Sequence, residues 1–159
     1  AIDYLKSTGI NKIAADGISQ GGATIVFASA KSKDLKCVII ESCFDELRNA
    51  VNNRFSSMLF IPGAIGSALM LPLAKNKLGI GVDEIAPINK IKNIHIPVFI
   101  ISGEVDTRTT PDETKKLFDA ANQPKRIWLV PNAGHVDLYR VNQVEYEKRV
   151  LEFLKVEMK

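Results

Sequence analysis

Apolar residues concentrate in four short runs, and each run is followed by a loop or a segment with helical features. The runs cover residues 10–18, 36–40, 98–101 and 127–130. The second run places Val38, Ile39 and Ile40 in sequence, a pattern typical of a strand that is buried on both faces. The sequence therefore predicts four strands, of which the second and the third are buried.

Helical segments alternate with these runs. They are predicted at 1–8, 21–30 and 110–121, with a last helix opening at Asn142. Thr110, Pro111 and Glu113 supply a cap, a first-position proline and a capping-box acid. Asn142 with Glu145 predicts a second capped start. Alternation of strands and helices indicates an α/β fold with a parallel sheet covered by helices on both faces.

One long segment, from about 44 to 85, interrupts this alternation. Its most apolar part, 58–74, is broken by Pro62, Gly63 and Pro72 and is shorter than the roughly 20 uninterrupted residues of a membrane span. Long insertions in compact domains are usually functional. We therefore expect a single domain over 1–159 with a helical lid inserted at about 44–85, and no membrane span.

Composition narrows the class of protein. The 21 basic and 18 acidic residues are interspersed, and the net charge is +3. Nucleic-acid binding normally needs a concentrated basic face, so we expect no nucleic-acid partner. The spacing of Cys37 and Cys43 suggests neither a disulfide framework nor a metal site, so we expect both to be buried free thiols. With no secretory signal visible, a reducing, cytoplasmic location is expected.

The pattern G-x-S-x-G occurs between a predicted strand and a predicted helix, as Gly17-Ile18-Ser19-Gln20-Gly21. A serine at such a turn is strained and presents its hydroxyl, while flanking glycines avoid side-chain clashes. The helix that follows directs backbone N–H groups to the same place. We expect Ser19 to be a nucleophile and the N–H of Gln20 to be an oxyanion donor. A tight packing turn with a solvated serine is the alternative.

A base and an acid complete the candidate chemistry. His135 follows the fourth strand in a glycine-flanked loop and is favoured over His95, which lies between isoleucines ahead of the third strand. Asp106 follows the third strand and would orient His135. Asp45, beyond the second strand, is the competing acid.

The order serine, aspartate, histidine, each on a loop after a parallel strand, resembles the α/β-hydrolase superfamily. Segments 17–22, 97–106 and 133–135 carry the resemblance, which extends over nearly the whole chain. The chain is most similar to the serine-hydrolase group of bacterial esterases, thioesterases and prolyl-oligopeptidase-like enzymes. The resemblance implies hydrolysis of an ester or thioester through an acyl-enzyme, with no metal and no organic cofactor.

The expected partner is a small-molecule acyl substrate, bound by the apolar part of the insertion. The candidate binding residues are Phe55, Met58, Leu59, Phe60 and Leu69. A plain helical cap without substrate contact is the alternative for this region.

Members of the superfamily have further strands before the nucleophile, and this sequence holds none. The resemblance therefore leaves the second oxyanion donor unassigned and an apolar strand edge exposed. We expect a fragment of a larger hydrolase, a chain completed by a missing N-terminal segment, or a homodimer that pairs through the edge. The uncapped helix at 1–8 favours a fragment. A truncated, non-catalytic domain acting in binding or assembly is the alternative function.

Overall fold

Four strands form one parallel sheet in a computed structural model of the chain. They are β1 (Ile13–Ile18), β2 (Leu35–Glu41), β3 (Val98–Gly103) and β4 (Lys125–Val130). Their order in the sheet is β1-β2-β3-β4, and every neighbouring pair is parallel. The predicted parallel sheet is confirmed, and all four strands end at the same edge.

Eight α-helices and one 3₁₀ turn connect the strands within the described part of the chain. The helices are α1 (Ile2–Ser7), α2 (Gln20–Ser29), α3 (Leu47–Leu59), α4 (Gly63–Leu78), α5 (Ile88–Ile91), α6 (Pro111–Ala120), α7 (Leu138–Val141) and α8 (Gln143–Glu157), and the turn is Val82–Glu84. The structure describes residues 1–59, 62–79, 81–135 and 137–159, without the side chains of residues 58, 59, 69, 74, 78 and 83. None of the described helices is long and apolar enough to cross a membrane.

Side chains of the central strands alternate between two hydrophobic cores. Val38 and Val98 belong to the core on one face of the sheet, and Ile39 and Phe99 belong to the core on the other face. Successive side chains of a strand point to opposite faces, so uninterrupted apolar runs need helices on both sides. Helices α2 and α6 contribute to the first core and α8, through Phe153, to the second.

The predicted caps are confirmed only in part. The Thr110 hydroxyl accepts a hydrogen bond from the N–H of Glu113 at 3.4 Å, so α6 has its capping threonine. The expected capping-box bond of the Glu113 side chain is wrong, because that carboxyl instead accepts from the Asn53 amide at 2.6 Å. Asn142 precedes α8 but makes no side-chain cap. A tertiary contact therefore replaces the capping-box bond at the start of α6.

The long inserted segment is helical. Helices α3 and α4 and the 3₁₀ turn occupy most of 44–85, and α4 continues through Pro72. Both cysteines are buried free thiols, as expected. In the described sheet β1 pairs with β2 only, and Ile18 on it is 55% exposed.

Candidate active site

Ser19 lies in the turn that joins β1 to α2 and has a strained backbone. Its φ is +55° and its ψ is −114°, a conformation that costs a non-glycine residue free energy. The Ser19 N–H is anchored to the Glu41 carbonyl at 2.7 Å. A Cβ at Gly17 would lie 2.6 Å from the backbone of Gly21, so glycine is required there. The expectation that Gly21 also relieves a clash is wrong, because its Cβ would meet open space.

His135 reaches the serine from the loop after β4. Its Nε2 lies 3.0 Å from the Ser19 Oγ. The loop can pack against the end of β3 because Gly103 has no side chain: a Cβ there would lie 2.2 Å from the carbonyl oxygens of Ala133 and Gly134. Close packing of the two loops therefore sets the position of the imidazole ring.

Asp106 lies behind the histidine, at the end of β3. Its Oδ2 is 2.9 Å from His135 Nδ1 and accepts a hydrogen bond from the Thr109 hydroxyl at 2.6 Å. Its Oδ1 accepts from the backbone N–H groups of Arg108 and Thr109, at 2.8 and 3.0 Å. The Thr109 hydroxyl is also 3.3 Å from His135 Nδ1. Both oxygens of the carboxyl group are thus held by donors.

These donors determine the charge of Asp106. Burial raises the pKa of the Asp106 carboxyl, but the hydrogen bonds from His135, Thr109 and Arg108 outweigh burial and hold the pKa below its ordinary value. A carboxylate only accepts hydrogen bonds, so His135 carries its hydrogen on Nδ1. The Nε2 lone pair then faces the Ser19 hydroxyl, which is the arrangement a general base requires.

The competing residues lie elsewhere. His95 is exposed to solvent ahead of β3. Asp45 accepts from the Glu46 N–H at 2.7 Å and the Asn49 amide at 2.9 Å. Among the described contacts of Asp45 there is none with His135. The structure therefore brings Ser19 together with His135 and Asp106, and not with the alternatives.

Two residues of this cluster escaped sequence reasoning, Thr109 and Arg108. Nothing in their spacing distinguishes them from ordinary loop residues. The signal that could have found them is Asp106 itself: an aspartate in a turn commonly accepts from N–H groups two or three residues further along the chain. Thr109 is buried, which fits a contact inside the site.

A cavity of about 670 Å³ opens beside Ser19 and His135. Its apolar walls come from α2, from the segment after β2, and from α3 and α4. Besides Ser19, Thr109 and His135, the described lining residues include the apolar residues Ala23, Phe27, Phe44, Leu47, Val51, Phe55, Met70 and Ile85. Arg54 and Arg108 line it too. Its volume falls within the range of small-molecule sites.

The predicted substrate-binding residues divide into two sets. Phe55 lines the cavity. Phe60 lies outside the described residues, as do the side chains of Met58, Leu59 and Leu69. Phe27, Phe44 and Leu47 line the cavity and were not expected, because they precede the insertion's most apolar part.

Gln20 occupies the first position of α2, directly after Ser19. N–H groups in the first turn of a helix have no partner within the helix and remain available for an anion. Within the described ranges, no group of three or more His, Cys, Asp or Glu residues is placed to hold a metal ion.

Curated proteins that this chain resembles are longer than it is. The uncharacterized protein YqkD of Bacillus subtilis (strain 168) is 28% identical over 147 residues, which are 87% of this chain and 46% of YqkD. The uncharacterized protein YfhR of Escherichia coli (strain K12) is 26% identical over 141 residues, which are 87% of this chain and 43% of YfhR. The chain thus spans less than half the length of these relatives.

Solved structures show the same fold. The Pyrococcus furiosus esterase Pf2001 superposes with a TM-score of 0.78 at 23% identity, over 99% of this chain and 59% of the esterase chain. The Pyrococcus horikoshii acylaminoacyl peptidase superposes with a TM-score of 0.71 at 18% identity, over 99% of this chain and 26% of the peptidase. Likeness at this identity establishes the α/β-hydrolase fold alone.

Family membership follows from the sequence match. The sequence pattern that defines the prolyl oligopeptidase family matches residues 1–159, the whole of this chain. The chain therefore belongs to the prolyl oligopeptidase family and has an α/β-hydrolase fold.

Proposed function

We propose that the chain hydrolyses a carboxylic ester or thioester through an acyl-enzyme on Ser19. The observation that carries the proposal is one continuous hydrogen-bonded line. Ser19 Oγ lies 3.0 Å from His135 Nε2, and His135 Nδ1 lies 2.9 Å from Asp106 Oδ2. Nucleophile, base and orienting acid are thereby within hydrogen-bond reach of one another, which is the geometric requirement for activating a serine.

Each residue has a defined step. His135 Nε2 takes the proton of Ser19 as Oγ forms a bond to the substrate's carbonyl carbon. The same proton passes to the leaving oxygen or sulfur as its bond to that carbon breaks. Water then attacks the acyl carbon with His135 again as base, the bond from that carbon to Ser19 Oγ breaks and releases the carboxylic acid, and Ser19 Oγ takes the proton back from His135. Asp106 remains ionised throughout and stabilises the imidazolium.

The N–H of Gln20 serves as an oxyanion donor in this proposal. It stands at the N-terminus of the ten-residue helix α2, where the helix dipole also favours negative charge. A second donor would come from chain outside these 159 residues or from a second copy. The open side of β1 is where such a segment would add a strand. Lacking one donor typically costs about 10²–10³ in rate.

Family membership supports a second candidate, cleavage of a peptide amide. The same three residues would act, since amide and ester cleavage share the acyl-enzyme route. An ester and an anilide with the same acyl group distinguish the two. Turnover of the ester alone is the expected result, because ester cleavage does not need efficient protonation of an amine.

The direct test is hydrolysis of p-nitrophenyl butyrate by the chain and by Ser19→Ala. We expect the wild-type chain to release p-nitrophenol and the variant to fall to the solvent rate. Ser102→Ala is the matched control, because Ser102 is a buried serine at the end of β3 with no hydrogen-bond partner for its hydroxyl among the described residues. Turnover retained by Ser19→Ala would remove Ser19 from this role. If the chain serves only for binding, neither the wild-type chain nor Ser102→Ala would hydrolyse the ester.

A further inference from the structure

The cavity beside Ser19 has two cationic groups in an otherwise mainly apolar lining. Arg54 belongs to α3, and Arg108 follows the acid Asp106 by two residues. Neither guanidinium has an ion-pair or hydrogen-bond partner among the described residues. No aspartate or glutamate is among the described residues that line the cavity. The positive charge of this wall is therefore not balanced within the cavity.

The two arginines belong to one connected wall. The Asn53 amide, next to Arg54, donates a hydrogen bond to the Arg108 carbonyl at 3.1 Å. The N–H of Arg108 in turn donates to Asp106 at 2.8 Å. These bonds fix the backbone under Arg108 relative to both α3 and the acid. A ligand group that contacts both arginines thus lies between α3 and the loop that carries the acid.

We propose that this cavity takes an acyl substrate that carries a carboxylate, and that Arg54 and Arg108 bind this carboxylate. The inference rests on the proposed function in that Ser19, which also lines the cavity, attacks the scissile carbonyl of the same substrate. Guanidinium groups match carboxylates in shape and charge, and their pairing strengthens beside apolar walls. The apolar lining binds the carbon chain of the acyl group.

Binding to the inactive Ser19→Ala chain tests the inference separately from catalysis. Monobenzyl glutarate carries a carboxylate, and benzyl methyl glutarate has nearly the same skeleton without charge. We expect calorimetry to show the first compound binding about tenfold more tightly, a difference of about 1.4 kcal/mol. This preference should shrink at high ionic strength, because salt screens partly exposed charges.

Variants of the two arginines test whether Arg54 and Arg108 cause the preference for the carboxylate compound. In the same inactive chain, Arg54→Gln and Arg108→Gln should each reduce the ratio of the two affinities several-fold. Arg126→Gln is the matched control, since Arg126 lies on β4, pairs with Glu157 at 3.8 Å and does not line the cavity. Thermal melting checks that each variant is folded.

The outcomes separate the two proposals. Equal affinities for the two compounds, or a preference that survives replacement of both Arg54 and Arg108, would overturn the carboxylate site. A carboxylate preference in the inactive chain together with no ester turnover by the wild-type chain would support this site and count against the catalytic role of Ser19.

Discussion

Two buried carboxyl groups on the segment from β3 to α6 have opposite protonation behaviour. Asp106 accepts four hydrogen bonds shared between its two oxygens, counting the one from His135. Glu113 is 5% exposed; its Oε1 accepts from Asn53, and its Oε2 has no hydrogen-bond partner in the described structure. The pKa of Asp106 is lowered, whereas burial raises the pKa of Glu113 to about 7.

Burial is common to both groups, so the hydrogen-bond donors and the neighbouring charges explain why their pKa values shift in opposite directions. Loss of water penalises the ionised form of each, and hydrogen bonds to the ionised form counter that penalty. At Asp106 the donors win, and at Glu113 burial and the nearby charge of Asp45 outweigh the bond from Asn53. The chain thus keeps the acid behind His135 charged while a carboxyl one turn into α6 titrates near neutral pH.

The largest expected effect comes from removing the acid's charge. Asp106→Asn should lower kcat for p-nitrophenyl butyrate by roughly 10⁴-fold, because an amide can donate to Nδ1 and so favours the wrong tautomer of His135. Steady-state kinetics of the purified variant measure it.

Asp45→Asn is the control for that variant, because Asp45 is an equally buried aspartate and the acid that competed with Asp106 in the sequence. It should leave kcat within a few-fold once the amount of folded protein is normalised. A larger loss in Asp45→Asn than in Asp106→Asn would contradict the assignment of the acid.

A smaller effect is expected from Thr109, which we assign as a positioning residue for Asp106. Thr109→Val removes the hydroxyl that donates to Oδ2 at 2.6 Å and keeps the side chain's shape. A hydrogen bond to a charged group is worth about 1.5–3 kcal/mol, so kcat should fall by about 10-fold to about 150-fold. The acidic limb of the pH–rate profile should also move upward in pH, as Asp106 loses a donor to its ionised form.

Two substitutions check that this effect belongs to the hydroxyl at that position. Thr109→Ser should restore most of kcat and the original pH profile. Thr114→Val removes another buried hydroxyl, one that donates to the Thr110 carbonyl at 3.3 Å, and should change stability without moving the profile. An unmoved profile in Thr109→Val would show that Thr109 is merely structural.

The smallest effect concerns stability and involves Glu113. The pKa of its carboxyl rises on folding from 4.5 to about 7. The stability that Glu113 contributes is therefore present in full below pH 4.5, the pKa in the unfolded chain, and is lost as the pH rises through about 7. Glu113→Gln should therefore raise the free energy of unfolding by about 1–2 kcal/mol at about pH 8 relative to the wild type, and this gain should be absent at about pH 4. Urea unfolding at both pH values measures it.

Asp112→Asn makes the same charge change one residue earlier, at a side chain that is 84% exposed, and should show no such pH-linked gain. Part of the pH dependence should persist in Glu113→Gln, because burial also raises the pKa of Glu41 to about 7. A Glu113→Gln variant that is destabilised equally at both pH values would contradict the raised pKa.

The strand runs and the serine turn were predictable because their signals are local. A buried parallel strand leaves an apolar run such as Val38 to Ile40, and the turn at Ser19 needs Gly17. Chain order and the rule that parallel strands end at one edge were enough to favour His135 and Asp106 over their rivals.

Contacts between distant segments left no such trace. The bond from Asn53 to Glu113 joins residues 60 positions apart and displaces a capping box that the local sequence favoured. Likewise, Arg54 and Arg108 share a cavity only because α3 packs beside the acid loop. The local sequence could not predict this, since the contact depends on how two distant segments pack together.

The reactivity of Ser19 towards a fluorophosphonate probe tests the central claim most directly, because only a serine activated by a base reacts at an appreciable rate. Intact-mass and peptide mass spectrometry should show one adduct per chain, located on Ser19, with labelling strongly slowed in Asp106→Asn. A folded chain that stays unlabelled, or one that is labelled at another residue, would contradict the account.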